Sequence, residues 1–341
     1  MLISVVVPVR NEEEYIENCI NSILSFELPK DIKIEVLIMD GLSDDNTKKI
    51  IKNKYSKNEN IFLIDNPNKI QSTALNLGIL RSNGEYILRL DAHTNYPKNY
   101  LKKIIETENK HNSDNTGGVC LTQAGGKNFG AQIVQALTTH KFGVGNSNFR
   151  AGFKEGYVDT VPFGFFKKSL FKKIGFFDER LVRAQDYEFN ARIINGGGKI
   201  WMNPEVVCYY YNQKYSYNFL MKYLTKEGPY NAYMWFIAPY TFSFRHVIPL
   251  LFSLGVIIGF FLSILITFVK YVYIFILLLY LFIALISSFQ QALNFKNYKF
   301  LFFLPISFFL FHFLYGFGIL IGIINLILSE GNNLKNKSAW N

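Results

Sequence analysis

Apolar and polar positions alternate in blocks along the first 210 residues, and the blocks come in two sizes. Short, β-branched apolar runs occupy residues 3–7, 34–39 and 86–90. Longer stretches with helical spacing follow at 13–25, 46–54 and 70–81. Strand-length apolar runs separated by helices predict a mostly parallel sheet in an α/β domain. Ser82-Asn83-Gly84 supplies the turn into the third strand. A further helix is expected from beyond Pro97 to about residue 110, followed by a polar loop over 111–117. Gly196-Gly197-Gly198 predicts a turn into a short strand at 199–202. Ser43 or Asp44 stands where an N-cap for the 46–54 helix is expected.

From about residue 246 the alternation vanishes. Residues 247–269, 271–293 and 300–329 contain no Asp, Glu, Lys or Arg. Each run is long enough to cross a hydrocarbon core of about 30 Å at about 1.5 Å per residue, so three transmembrane helices are expected. Only Lys270 separates the first two runs, which must give up apolar residues to the turn. Residues 211–245 are rich in Tyr, with Trp235, scattered lysines, Pro229 and Pro239. They read as interfacial helices on the lipid headgroups, the alternative being a helix pair in the soluble core. The expected order is a soluble domain at 1–210, an interfacial segment at 211–245, a membrane region at 246–330 and a polar tail at 331–341. Lys222, Lys226 and Arg245 flank the first span, and Lys296 and Lys299 separate the second from the third. Keeping both groups inside gives a multi-pass protein of the cytoplasmic membrane with its first domain in the cytoplasm, although Lys335 and Lys337 then fall outside. His312 in the third run is expected to make a helix–helix hydrogen bond rather than mark a polar pathway.

Composition changes this picture little. Of 341 residues 50% are hydrophobic and 17% aromatic, which suits a membrane-attached chain. Cys19, Cys120 and Cys208 lie far apart without metal-like spacing and are expected to be buried free thiols. The formal charge of +10 raises the question of nucleic acid, but no Lys/Arg run of the required length occurs. An anionic membrane surface accounts for the charge instead. The chain enters a strand at Ile3, so no signal peptide is expected.

The chemistry lies just after the strands. The first run leads into Pro8-Val9-Arg10-Asn11-Glu12, the second into Asp40-Gly41-Leu42-Ser43-Asp44-Asp45, and the third into Asp91-Ala92-His93. In open α/β sheets ligands bind beyond the carboxyl ends of the strands. Carboxylates converging there repel one another unless a cation or a donor-rich ligand joins them. A nucleotide sugar with its metal satisfies that requirement.

Together with Ala74-Leu75-Asn76-Leu77-Gly78, these motifs resemble the ordered motifs of glycosyltransferase family 2. The segments 142–146 (Phe-Gly-Val-Gly-Asn), 158–164 (Val-Asp-Thr-Val-Pro-Phe-Gly) and 176–188, ending Ala184-Gln185-Asp186-Tyr187-Glu188, are similar to a membrane-bound subgroup. That subgroup includes succinoglycan-type exopolysaccharide glucosyltransferases. The resemblance implies a GT-A fold, a UDP-sugar donor, a divalent cation (Mn2+ or Mg2+) and inversion at the anomeric carbon.

Inverting transfer needs a base for the acceptor hydroxyl and a cation for the diphosphate leaving group. The resemblance assigns the base to Asp186, which on its own would read as a carboxylate at a helix start favouring the dipole. Glu188 is the alternate, with Gln185 and Arg183 as secondary candidates, Arg183 through a phosphate contact or a surface ion pair. Asp91 and His93 occupy the family's Asp-x-Asp metal position. Residues i and i+2 of an extended segment project to one side, so both are expected to address one ion. His93 in place of a carboxylate contributes no charge and suits Mn2+ better than Mg2+.

Asp40 matches the family carboxylate that contacts the nucleoside. Pro8, Arg10, Asn11 and Glu12 form the first loop around uracil or ribose. Asp44 divides between donor binding and helix capping, and Lys69 and Asn76 are second-rank donor contacts. Gly41 and Gly78 are expected to serve backbone geometry. The Gln/Arg-x-x-Arg-Trp motif of processive synthases does not occur at 210–240, which favours transfer of a single sugar.

The leading expectation is therefore transfer to a lipid-linked saccharide, such as a polyprenyl-diphosphate-linked one, in extracellular polysaccharide biosynthesis. The alternatives are transfer directly to a lipid or polyprenyl phosphate, and a catalytically silent nucleotide-binding module of an export assembly.

Overall fold

A computed structural model describes residues 1–145, 148–151 and 154–328. Asn146, Lys335, Lys337 and the expected polar tail lie outside the described residues. The chain forms two compact units: residues 1–121 with 153–211, and residues 122–152 with 212–341. The boundary expected near 210 is present, but 122–152 groups with the second unit.

The first unit carries a nine-stranded sheet: β1 (Leu2–Val9), β2 (Lys33–Asp40), β3 (Ile61–Asp65), β4 (Tyr86–Arg89), β5 (Thr94–Asn95), β6 (Asn115–Gln123), β7 (Gly156–Tyr157), β8 (Phe165–Lys167) and β9 (Ile200–Tyr211). The order is β3-β2-β1-β4-β8-β6-β9-β5, with β7 on β9. β3, β2, β1 and β4 run parallel; the apolar runs announced β1, β2 and β4, while β3 was not expected. Val5, Val6, Val7, Ile38 and Met39 are fully buried, as expected of strands covered on both faces. β8 enters antiparallel to β4 and β6, and β5 and β7 pair antiparallel with β9.

Two expectations change. The polar loop assigned to 111–117 ends early, because β6 begins at Asn115. The short strand expected at 199–202 continues to Tyr211. Gly117 and Gly118 weakened the strand signal, yet a Cβ on Gly118 would lie 1.8 Å from the Val206 carbonyl oxygen. Glycine is therefore what lets the two strands close together.

Helices cover the parallel strands. Ile16–Leu24 turns Ile16, Cys19, Ile20 and Ile23 inward. Gln71–Arg81 lies so close to β1 that a Cβ on Gly78 would sit 2.4 Å from a Val6 methyl. Gly41 has no such restriction, since its nearest neighbours are at 3.4 Å. The third covering helix begins at Thr47. Neither Ser43 nor Asp44 caps it; the Asp45 carboxylate accepts from the Thr47 amide at 2.9 Å. All three cysteines are buried and free.

The second unit is helical. His246–Leu265, Thr267–Asn294 and Phe300–Leu328 are long and apolar enough to cross a membrane. The first two separate at Ile266, whose extended backbone breaks the helix, so Lys270 falls inside the second helix rather than in the turn. Helices of the 211–245 segment pack on the last helix. In Gly228–Ile237 the residues Tyr230 to Met234 are buried, and added Cβ atoms on Gly228, Gly318 and Gly322 would meet neighbouring main chain at 2.5–2.9 Å. Small residues permit this approach where lipid gives no hydrophobic drive. Phe129–Thr138 adds Ile133, Val134 and Leu137 to a core with Phe300, Leu304, Phe308 and Phe311. His312 bonds the Tyr280 hydroxyl at 2.8 Å, the helix–helix bond expected of it.

Candidate active site

The carboxyl ends of β1, β2 and β4 lead into the three motif loops of the first unit. At the end of β1, Asn11 adopts a left-handed backbone (φ 57°). Its amide donates to the Ser43 hydroxyl, and its side-chain oxygen accepts from the Asp44 amide. The Glu12 amide donates to the Thr47 hydroxyl at 2.8 Å. The first and second loops are thus stitched together by hydrogen bonds. Pro8 is half-buried in β1, while Arg10, Asp44 and Lys69 are exposed along this rim. Leu42 (φ 54°) and Lys69 (φ 61°) share the left-handed backbone, a strain that collects at ligand-binding loops.

Asp40 ends β2 fully buried. Its oxygens accept from the Ser43 hydroxyl at 2.6 Å and the Ser43 amide at 3.0 Å, with Lys48 at 3.7 Å. Asp40 therefore shapes the loop that follows β2. Asn76 is likewise engaged. Its amide donates to the Phe177 carbonyl and to Glu179 and accepts from the Phe177 amide, at 2.9–3.0 Å. That use of every polar atom corrects its expected donor contact: Asn76 staples the 177–179 segment to the Gln71–Arg81 helix.

The third acidic motif is a turn rather than an extended segment, so its two side chains take different partners. His93 Nδ1 contacts Glu12 Oε1 at 2.9 Å, between the rings of Tyr210 and Tyr15. Asp91 instead faces Arg89 and Gln71. Arg89 lies on β4, 3% exposed, with Phe163 against its guanidinium. It contacts Asp91 Oδ1 at 3.1 Å and Asp186 Oδ2 at 3.0 Å. Burial alone would lower its proton affinity, but Asp186 and Asp91 outweigh burial and raise it.

Asp186 sits in the first turn of Gln185–Asn195, which Ala184 enters with φ 61°. A third of its side-chain surface stays open, yet Oδ1 is shielded and has no hydrogen-bond partner among the described residues. Desolvation pushes its pKa up to about 6, against the pull of Arg89 and with the help of Asp91. A carboxylate near 6 is ionised at neutral pH and still basic enough to take a proton. Glu188, the alternate, is buried with both oxygens on Arg192 at 2.8 Å. That ion pair holds it in the helix. Gln185 is buried, its amide donating to Gln71 Oε1 at 2.6 Å, and Arg183 is half-buried just before the helix.

Among the described residues no three His, Cys, Asp or Glu side chains are grouped to hold an ion by themselves. Asp91 Oδ1 is occupied by Arg89 and Gln71, while no donor among the described residues reaches Oδ2. With His93 two residues on, the set fits a divalent cation that completes its shell from phosphate oxygens and water.

The model of the family described as "Glycosyl transferase family 2" matches residues 4–175, half of the chain. The chain belongs to glycosyl transferase family 2. It is a glycosyltransferase with a GT-A-like α/β domain. Over 341 aligned residues it is 29% identical to a dolichyl N-acetyl-alpha-D-glucosaminyl phosphate 3-beta-D-2,3-diacetamido-2,3-dideoxy-beta-D-glucuronosyltransferase of Methanococcus voltae, covering 94% of this chain and 97% of that one. It is 28% identical over 209 residues to a succinoglycan biosynthesis protein of Rhizobium meliloti, covering 61% of this chain and 62% of that one. A mannosyltransferase of Pyrobaculum calidifontis, solved with GDP-Man and Mn2+, shares the fold with a TM-score of 0.50 at 18% identity, over 67% of this chain and 61% of that one.

Two residues of this family 2 site escaped sequence reading. Arg89 had a signal: a lone charge inside the apolar run Tyr86-Ile87-Leu88-Arg89-Leu90. A charge on a buried strand must find partners, and Asp91 just beyond the strand's end is one of them. Gln71 had none, being an ordinary polar residue in a helix's first turn.

Proposed function

We propose that this glycosyltransferase moves one sugar from a UDP-sugar to a lipid-linked saccharide in extracellular polysaccharide biosynthesis, inverting the anomeric centre. The observation that carries this reading is the Asp186 carboxylate. It is tied by Oδ2 to Arg89 and has a shielded, unpartnered Oδ1 and a pKa of about 6. Oδ1 would accept the proton of the acceptor hydroxyl as that oxygen bonds to the anomeric carbon. The bond from that carbon to the diphosphate breaks in the same displacement, leaving the nucleoside diphosphate.

Asp91 Oδ2 and His93, the latter oriented by Glu12, would hold a divalent cation whose chemistry is to neutralise the departing diphosphate. Pro8, Arg10, Asn11, Glu12, Asp44 and Lys69 would border the nucleotide, on the loop that Asp40 shapes. The name of the Methanococcus relative specifies a sugar carried on dolichyl phosphate as acceptor, and the Rhizobium relative is named for an exopolysaccharide. The first supports a lipid-linked acceptor and the second polysaccharide biosynthesis; the three long apolar helices suit a multi-pass enzyme that would meet its acceptor at the membrane, with its catalytic unit in the cytoplasm by the distribution of lysines and arginines.

The test is transfer of radiolabel from a panel of UDP-sugars and GDP-mannose into organic-extractable lipid, using membranes that carry the protein and native acceptors. Label from one UDP-sugar, lost with EDTA and in Asp186→Asn, is the expected result. Transfer that survives Asp186→Asn would remove Asp186 as the base, and label only from GDP-mannose would remove the UDP assignment.

A further inference from the structure

Two separate bridges run from a single oxygen to the start of the base-bearing helix. Arg89 contacts Asp91 Oδ1 at 3.1 Å and Asp186 Oδ2 at 3.0 Å. Gln71 donates to the same Asp91 oxygen at 3.2 Å and accepts from Gln185 at 2.6 Å. The direction of the second bridge is forced. An ionised Asp91 only accepts, so the Gln71 amide nitrogen must face it, and the Gln71 oxygen must then face the Gln185 nitrogen. Neither amide can flip without setting two like groups against each other. Adjacent residues on one helix are thereby both fixed to Asp91, from β4 on one side and from the Gln71–Arg81 helix on the other. Asp91 in turn keeps only Oδ2 outside the clamp.

Resting on the reading of Asp186 as base, we propose that Arg89 and Gln71 are positioning residues that lock the base to the donor-side carboxylate. Arg89 can do this because its planar fork reaches two carboxylates at once; a lysine ammonium in the same place is a single point that can follow only one. Burial makes the arrangement stiff. Arg89 is 3% exposed and Gln185 4%, so neither can trade its partner for water without opening the core. Displacing a catalytic group by about 1 Å costs on the order of 100-fold in rate while the binding contacts persist.

The experiment uses the full chain in detergent or in membranes, with the donor identified by the label panel. Transfer kinetics are measured beside UDP binding by calorimetry with Mn2+ present. Arg89→Lys is expected to lower kcat about 100-fold. Donor KM and UDP affinity should stay within about threefold, because the first two loops are held by their own hydrogen bonds and Asp91 keeps Oδ2 for the cation. Gln71→Ala, which removes one hydrogen bond to a charged group, is expected to lower kcat about tenfold with the same unchanged binding. Should Arg89→Lys fail to fold, Gln71→Ala carries the test. Undiminished kcat in both variants overturns the clamp, and so does a loss of UDP affinity in parallel with kcat, which would mark a merely structural role. Failure of the base reading looks different: Asp186→Asn would then remain active whatever Arg89 and Gln71 do.

Discussion

The two units use buried polar groups in opposite ways. In the first, charges are taken inside and paired: Arg89 between Asp91 and Asp186, Glu188 with Arg192, and Asp40 beside Lys48. In the second, the buried polar side chains are mostly neutral and bond main-chain oxygens. Ser253 donates to the Phe313 carbonyl, Ser288 to that of Ala284 and Gln291 to that of Ala136. Buried charge costs free energy unless paired, and it is retained where chemistry needs it. Close packing of apolar helices asks only that no polar atom be stranded, which short neutral side chains achieve. The difference locates function without reference to any motif: the unit that tolerates buried charge is the one that reacts.

The comparison is broken most severely by neutralising the base. Asp186→Asn is expected to cut transfer by about 1,000-fold or more, near the upper range for a general base, with UDP binding retained by calorimetry. Loss of binding together with transfer would make Asp186 structural.

In the second unit the corresponding weak point is a contact rather than a charge. A Cβ on Gly316 would lie 1.8 Å from the Pro249 carbonyl oxygen, so Gly316→Val must separate two helices. It should lower the thermal midpoint in detergent by an amount matching about 3 kcal/mol, the upper range for overpacking. An unchanged midpoint would show that the helices do not pack as described.

The pH dependence of the charged unit is a finer test. With a pKa of about 6, Asp186 is protonated below that value, so kcat/KM should fall about tenfold per unit as pH drops below about 6. Stability runs the other way. The folded pKa is raised above 3.8, so the contribution of Asp186 is fully present below 3.8 and is lost as pH rises through about 6. Asp186→Asn should therefore melt at or above the parent at pH 7.5, and the difference should close near pH 4.

The smallest effect belongs to charge at the surface. Lys54 pairs with Glu17 where both side chains are about half exposed. Lys54→Met is expected to change stability by under about 1 kcal/mol, measured by denaturant midpoint. A larger loss would mean that surface pairs matter here as buried ones do.

Much of this was legible in the chain. The apolar runs at 3–7, 34–39 and 86–90 predict β1, β2 and β4, because parallel strands covered on both faces are mostly apolar along their length. The three uncharged runs predict the long helices for a similar reason. What failed was the half of the sheet whose strands are short, glycine-bearing or mixed in polarity. β6 hides behind Gly117 and Gly118, β8 is three residues long, and β9 carries polar residues along its length.

At the site, the order of Asp40, Asp91 and Asp186 along the chain was enough to nominate them. The sequence by itself determined which residues carry charge, which runs must be buried, and which ends of strands would face one crevice. Those follow from local patterning and from the topology it implies. Only the tertiary structure decided what each carboxylate does. It bound Asp40 to Ser43, gave Glu188 to Arg192, turned His93 toward Glu12, and joined Asp91 to Asp186 through Arg89 and Gln71. The partners lie up to 114 residues apart, as Gln71 and Gln185 do. A hydrogen bond depends on ångström separations that sheet order and helix packing set, and no spacing along the chain encodes them.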